Sequence, residues 1–168
     1  MSVALRSMTQ ADLAGVIELE QDVFGAEAWT PEMLLGELEQ QPASRYYLVA
    51  QDEGRIVGYA GLLGAGDQSD VVTLAVASDQ WGLGIGSALL EALITEAARR
   101  GCTLVFLEVR TDNSRAQRLY RRYGFTEIGI RRGYYQPSGA DALVMRRDVT
   151  SRDLTDPAPR DEVSRGQV

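Results

Sequence analysis

Apolar positions along the chain recur in two rhythms. The β-branched run Val71-Val72-Thr73-Leu74-Ala75-Val76 predicts a buried strand. After a glycine-rich stretch, Leu89, Leu90, Leu93, Ile94 and Ala97 recur at helical spacing and predict one apolar stripe, which stops at Arg99-Arg100-Gly101 with cations in the last turn and glycine beyond. Upstream, Val3 to Met8 predicts a short strand. Thr9 with Asp12 three residues on forms a capping-box variant ahead of Leu13, Val16 and Ile17, a core face. Glu20 continues that face, either as its solvated edge or as an acid turned toward a cleft, and the solvated edge is the expectation. Thr30-Pro31-Glu32 opens a second helix to about Glu39, and the intervening loop Phe24 to Trp29 carries two large aromatics.

Arg45 to Ala50 and Ile56 to Leu62 predict strands joined by the short turn Asp52-Glu53-Gly54-Arg55, so three antiparallel strands precede the glycine-rich stretch. Leu104 to Arg110 is an apolar strand interrupted by one acid, and alternation puts Phe106, Glu108 and Arg110 on one face. An acid there is costly unless paired or used. An ion pair with Arg110 is one reading, and a buried carboxyl raised toward the pKa of a working base is the other. Asn113-Ser114 caps a helix with Ala116, Leu119, Tyr120 and Tyr123 on one face, ended by Gly124; by pattern alone Tyr120 is core. Phe125 to Ile130 and Ala142 to Met145 close the strand set around the polar aromatic loop Arg131 to Pro137. From Thr150 on, Pro157, Pro159 and mixed charges show no apolar period, so the expected organisation is one domain over 1–149 and a polar tail over 150–168.

A strand that feeds a helix through Gly82-Leu83-Gly84-Ile85-Gly86-Ser87 suits an anion. Glycines let a ligand lie against backbone, and the first helical N–H groups point outward at the positive end of the dipole. A P-loop is excluded because the chain has no Lys, all 17 of its basic residues being Arg. A dinucleotide fingerprint needs G-x-G-x-x-G, a different period, and follows a strand of a parallel array rather than an antiparallel series. The pattern Q/R-x-x-G-x-G/A of acyl-CoA-dependent transferases falls on Trp81 to Gly86, with Trp81 departing at the first position.

Composition narrows the chemistry further. With 45% hydrophobic and 24% charged residues over 168 positions, the chain fits one globular domain with a sizeable core. Its net charge of −7 argues against a general nucleic-acid binder and favours basic or amine-bearing partners. The absence of His and the single Cys102 exclude serine triads, His bases, His-Cys metal sites and an internal disulfide, so no metal set is predicted and catalysis falls to Asp, Glu, Tyr, Cys or backbone. Cys102 itself is expected as a buried, inert thiol. The first residues carry no signal-peptide apolar region, and a cytoplasmic location without membrane attachment is expected.

At Leu107-Glu108-Val109-Arg110-x-x-Asn113, followed by Leu119-Tyr120-x-x-Tyr123-Gly124-Phe125, the chain resembles the GCN5-related N-acetyltransferases over about residues 3 to 148. The Glu-Val-Arg motif and Arg131-Arg132-x-Tyr134-Tyr135 are similar to the branch that acetylates the N-terminal alanine of ribosomal protein S18. The resemblance implies an α/β (α+β mixed) fold with a mostly antiparallel twisted sheet flanked by helices, and acetyl-CoA as co-substrate. It implies that Leu74, Ala75 and Val76 pair their backbone with the pantetheine arm. Gly82, Leu83, Gly84, Ile85, Gly86 and Ser87 would hold the pyrophosphate, and Asn113 would make a further cofactor contact. Glu108 would be the general base and Tyr120 the general acid, with Trp29 and Tyr134 facing the acceptor. The acceptor would be a protein N-terminus; a lysine side chain or small amine is the alternative. An oxyanion donor is expected at a backbone N–H near Val76, if the strand bulges there.

Overall fold

The computed structural model describes residues 3–154. Its elements run β1 (Val3–Ser7), α1 (Leu13–Phe24), α2 (Pro31–Leu38), β2 (Arg45–Asp52), β3 (Arg55–Ala65), β4 (Gln68–Val76), α3 (Ile85–Arg99), β5 (Leu104–Arg110), α4 (Ser114–Arg122), β6 (Thr126–Arg131) and β7 (Ala142–Asp148). The strands form one sheet in the order β1-β2-β3-β4-β5-β7-β6, antiparallel throughout except for β4 beside β5. This is the mixed, mostly antiparallel α/β fold expected. The glycine loop follows the fourth strand of an antiparallel meander, which removes the dinucleotide-fold alternative.

Local chemistry sets the element ends. Thr9 and Asp12 form the capping box, but around a 3-10 turn, Gln10–Asp12, that leads into α1. Arg6 donates to both Asp12 oxygens at 2.8 and 2.7 Å and holds that carboxyl down at about 2. Thr30 caps α2 by accepting from Met33 N at 3.2 Å, with Pro31 in the first turn, and Asn113 caps α4 by accepting from Ala116 N at 3.1 Å.

The sheet carries a core on each face, because alternate residues of β2 and β3 point opposite ways. Leu48, Ala50, Val57, Ala60 and Leu62 meet the stripe of α3, in which Leu89, Leu90, Leu93, Ile94 and Ala97 are all buried. Tyr47, Val49 and Tyr59 meet α1 and α2 on the other face. Each large side chain so buried contributes roughly 1.5–3 kcal/mol. Gly61 makes one of these contacts possible, since a Cβ there would lie 2.2 Å from the Tyr47 ring. Cys102 is buried beside Ser69 Oγ (2.8 Å), as expected of a structural thiol.

Two irregularities open the sheet. The β4–β5 ladder covers only Gln68–Val71 against Leu104–Leu107, so the strands part beyond Val71 and Leu107. At the same point β4 bulges, Leu62 pairing with Val71 and Gly61 with Thr73, which leaves Val72 as the extra residue. The bulge therefore lies at Val72 rather than near Val76. Past Asp148, Val149 is buried and a 3-10 turn, Ser151–Leu154, is tied back by Arg147 to Asp153 (2.9 Å). Beyond that turn, the tail expected from Thr150 lies outside the described residues. Among the described residues, no helix is long and apolar enough to cross a membrane.

Candidate active site

Where β4 and β5 part, the gap widens into a cavity of about 740 Å³. It gathers six of the candidate catalytic, cofactor and acceptor residues: Trp29, Leu74, Glu108, Asn113, Tyr120 and Tyr134. Ala75, Val76 and the loop Gly82 to Ser87 are not on its wall.

Strand β5 alternates as expected, with Val105, Leu107 and Val109 buried and Phe106, Glu108 and Arg110 on the more open face. The Glu108–Arg110 pair does not form. Arg110 instead binds Glu27 (2.5 Å) and Asp112 (3.0 Å), because same-face neighbours on a strand stand about 6.6 Å apart and the long side chain reaches the α1–α2 loop. Nor is Glu108 sealed in apolar surroundings. Its side chain keeps 22% of its exposure, Tyr134 donates to it at 3.4 Å, and Arg131 stands at 3.7 Å. Both contacts are long, so the carboxylate is held loosely at the cavity wall.

Tyr120 is 6% exposed and packs edge-on against Phe125, with ring centroids 5.9 Å apart. Core packing and cavity lining are thus both true of it. Burial raises its hydroxyl to about 12, which keeps the proton in place for donation. Tyr134, 43% exposed, stands edge-on to Tyr135 in the loop between β6 and β7. The Trp29 backbone N–H donates to Glu20 Oε2 at 2.8 Å.

That contact overturns the solvated-edge expectation for Glu20. It is 1% exposed, lines the cavity, and accepts from the Tyr59 hydroxyl as well as from Trp29 N. Burial is the leading influence on its carboxyl and raises it above the ordinary range; the two donors oppose that shift. The signal was present in the sequence, since Glu20 lies one turn beyond Val16 on the core face. Glu27 was not singled out, yet it joins the two rims. It accepts from Arg110, from Ser138 N (3.2 Å) and from the Ser138 hydroxyl, linking the α1–α2 loop to the β6–β7 loop across the mouth.

The backbone of β4 supplies the other wall. Ala77 N donates to Val57 O (2.9 Å), so alternation along this antiparallel pair turns Ala75 toward Tyr59 of β3 and turns Leu74 and Val76 into the gap. The expected pantetheine pairing thus suits Leu74 and Val76 but not Ala75. The Val76 carbonyl is already taken by Trp81 Nε1 (2.9 Å), which leaves its N–H. Beyond Trp81, Gly82 and Gly84 take φ of +80° and +81°, a region favouring glycine. The first helical bond of α3 runs from Ala88 N to Gly84 O, so the N–H groups of Ile85, Gly86 and Ser87 leave the helix end without helical acceptors. Among the described residues no group meets buried Ser87 Oγ with full hydrogen-bond geometry, and a Cβ on Gly82 would meet only open space. These features fit a diphosphate against the backbone.

The chain has counterparts among known proteins. Residues 13–125 match the acetyltransferase (GNAT) family. The chain belongs to the GNAT acetyltransferase family. This GNAT protein is 42% identical over 151 residues to N-alpha-acetyltransferase RimI of Mycobacterium tuberculosis, covering 87% of this chain and 92% of the relative. To the [ribosomal protein bS18]-alanine N-acetyltransferase of Escherichia coli K12 it is 32% identical over 150 residues, 87% and 97% of the two chains. The crystal structure of the ribosomal-protein-S18-alanine N-acetyltransferase from Escherichia coli matches with a TM-score of 0.79 at 30% identity, covering 89% and 95%. As a member of this family the chain is an acetyltransferase.

Proposed function

We propose that this enzyme transfers the acetyl group of acetyl-CoA to the N-terminal α-amine of a protein, with the N-terminal alanine of ribosomal protein S18 as acceptor. The observation that carries the reading is that a loosely held carboxylate, Glu108, and a protonated hydroxyl, Tyr120, share one cavity at the parting of β4 and β5. Acetyl-CoA supplies an activated acetyl thioester. Glu108, directly or through a water, takes the proton that makes the amine a nucleophile, and Tyr120 returns a proton to the leaving sulfur. Leu74 and Val76 line the path of the pantetheine arm, Asn113 makes a further cofactor contact, and Gly82 to Ser87 receive the diphosphate.

The acceptor assignment has three supports. An α-amine, with pKa near 8 against about 10.4 for Lys, costs about 3 kcal/mol less to neutralise near pH 7, which suits a single carboxylate in a chain without His. The bonds of Glu27 to Arg110 and Ser138 tie together the two loops that carry Trp29 and Tyr134, so the acceptor would be received between held loops. The Escherichia coli relative described above, matched both in sequence and as a crystal structure, carries S18-alanine acetyltransferase in its name.

Mass spectrometry of matched peptides tests this reading. One begins with a free Ala and contains no Lys; the other is N-terminally blocked with one internal Lys. Acetylation of the first alone is expected. Equal or faster modification of the internal Lys would overturn the α-amine assignment and favour a side-chain or small-amine acceptor.

A further inference from the structure

The position at which the acyl-CoA loop pattern calls for Gln or Arg holds Trp81, and the structure gives that substitution a partner. The Trp81 ring, 48% exposed, is fixed by its Nε1 bond to the Val76 carbonyl, and the Arg115 guanidinium sits 3.9 Å from its ring centroid. Arg115 is the second residue of α4, so its charge stands at the positive end of that helix, where a cation is disfavoured. Among the described residues Arg115 meets no carboxylate, whereas neighbouring Arg110 and Arg121 both do. It is half-buried, and Arg118 adds like charge. A cation stacked and left without an anion, beside a loop whose N–H groups also lack acceptors, marks a place for a phosphate. Because Arg115 covers one face of the Trp81 ring, that face is closed to a stacking base.

We infer that Arg115, seated on Trp81, binds the diphosphate of the acyl-CoA substrate from across the gap, supplying the side-chain cation that the loop lacks. This rests on the reading of the enzyme as acetyl-CoA-dependent. The clamp joins the start of α4 to the loop before α3, and so continues the cavity wall at Leu74 and Asn113 toward the glycines. A phosphate held by a charge-assisted pair there accounts for roughly 10- to 100-fold in affinity.

Three acetyl donors test it on the full chain: acetyl-CoA, acetyl-3′-dephospho-CoA, and S-acetylpantetheine, which lacks both diphosphate and nucleotide. Arg115→Ala should raise the KM of the first two by the same factor, about tenfold or more, with kcat little changed, and should leave the KM of S-acetylpantetheine where it was. Arg115→Lys, which keeps a charge, should fall between wild type and Ala. Calorimetric affinity for CoA checks the Ala variant without turnover, and its melting temperature shows that it has folded. If both Arg115 variants fail to fold, Trp81→Phe, expected to weaken both diphosphate donors severalfold, takes their place. An unchanged KM for acetyl-CoA would overturn the clamp, as would an equal loss with S-acetylpantetheine. A loss confined to acetyl-CoA would reassign Arg115 to the 3′-phosphate and overturn the diphosphate contact. Failure of the wild-type protein to use any of the three donors would instead sink the acetyl-CoA reading itself.

Discussion

Glu20 and Glu108 line the same cavity and each meets a tyrosine hydroxyl, yet Glu20 is 1% exposed with donors on both oxygens, whereas Glu108 keeps 22% exposure and is approached only at 3.4 and 3.7 Å. The raised Glu20 carboxyl would, by itself, suggest a base. Its donors argue otherwise. Tyr59 stacks on Tyr47 at 6.5 Å, and Tyr47 donates to Glu37, so Glu20 belongs to a polar chain that fixes α1 and the Trp29 loop onto the sheet. A carboxylate committed to fixed donors is tied to the fold, whereas one held loosely at an open wall is free to meet a substrate proton. On the proposed function, the difference separates a positioning acid from a working one.

The same substitution at two tyrosines should give opposite results. Tyr120→Phe removes a hydroxyl that donates to no described residue, so kcat should fall on the order of 10²–10⁴ with little change in melting temperature. Because that hydroxyl sits at about 12, the wild-type kcat should show no alkaline fall from this group below about pH 10. Tyr59→Phe leaves Glu20 short of a donor and should cost about 1–3 kcal/mol in urea unfolding, with kcat of the folded enzyme within tenfold of wild type. Were Tyr59→Phe the variant that lost turnover, the division of roles would fail.

Gly61→Ala probes the polar chain from outside. The new Cβ would press on the Tyr47 ring, and about 1–3 kcal/mol of stability should be lost while Glu108 and Tyr120 stay in place. A smaller effect is the pH dependence contributed by Glu20. Its folded pKa is raised, so in the window above the ordinary 4.5 the folded state binds more proton than the unfolded chain, and stability falls as pH rises. The stability gap between wild type and Glu20→Gln should therefore shift against wild type from pH 4.5 toward 7 in parallel urea titrations. A gap that moves toward wild type over that range would contradict the burial of this carboxyl.

How much of this was legible depended on sequence distance. The α3 stripe, the Asn113 cap and the acid on β5 follow from local period and capping chemistry, and each appears where expected. The environment of Glu20 is not legible locally, because a periodic face shows direction and not what covers its last turn; Trp29 and Tyr59 do that here. The ion pair of Glu108 with Arg110, one of the two readings open from the sequence, rests on two residues of one strand face lying close in sequence. The partner of Arg110, Glu27, is 83 positions away, brought there by the loop after α1. The bulge at Val72 and the parting of β4 from β5 depend on the register of three strands, which no single stretch encodes. No local pattern marks Arg115; its place on Trp81 comes from the fold alone.

Saturated acetyl transfer to an Ala-initiated peptide, measured side by side for Glu108→Gln and Glu20→Gln, tests the division of labour most directly. The expected results are a kcat reduced on the order of 10²–10⁴ for Glu108→Gln at unchanged melting temperature, and a kcat within tenfold of wild type for folded Glu20→Gln at lowered stability. Near-normal turnover in Glu108→Gln, or its loss in folded Glu20→Gln, would contradict that division.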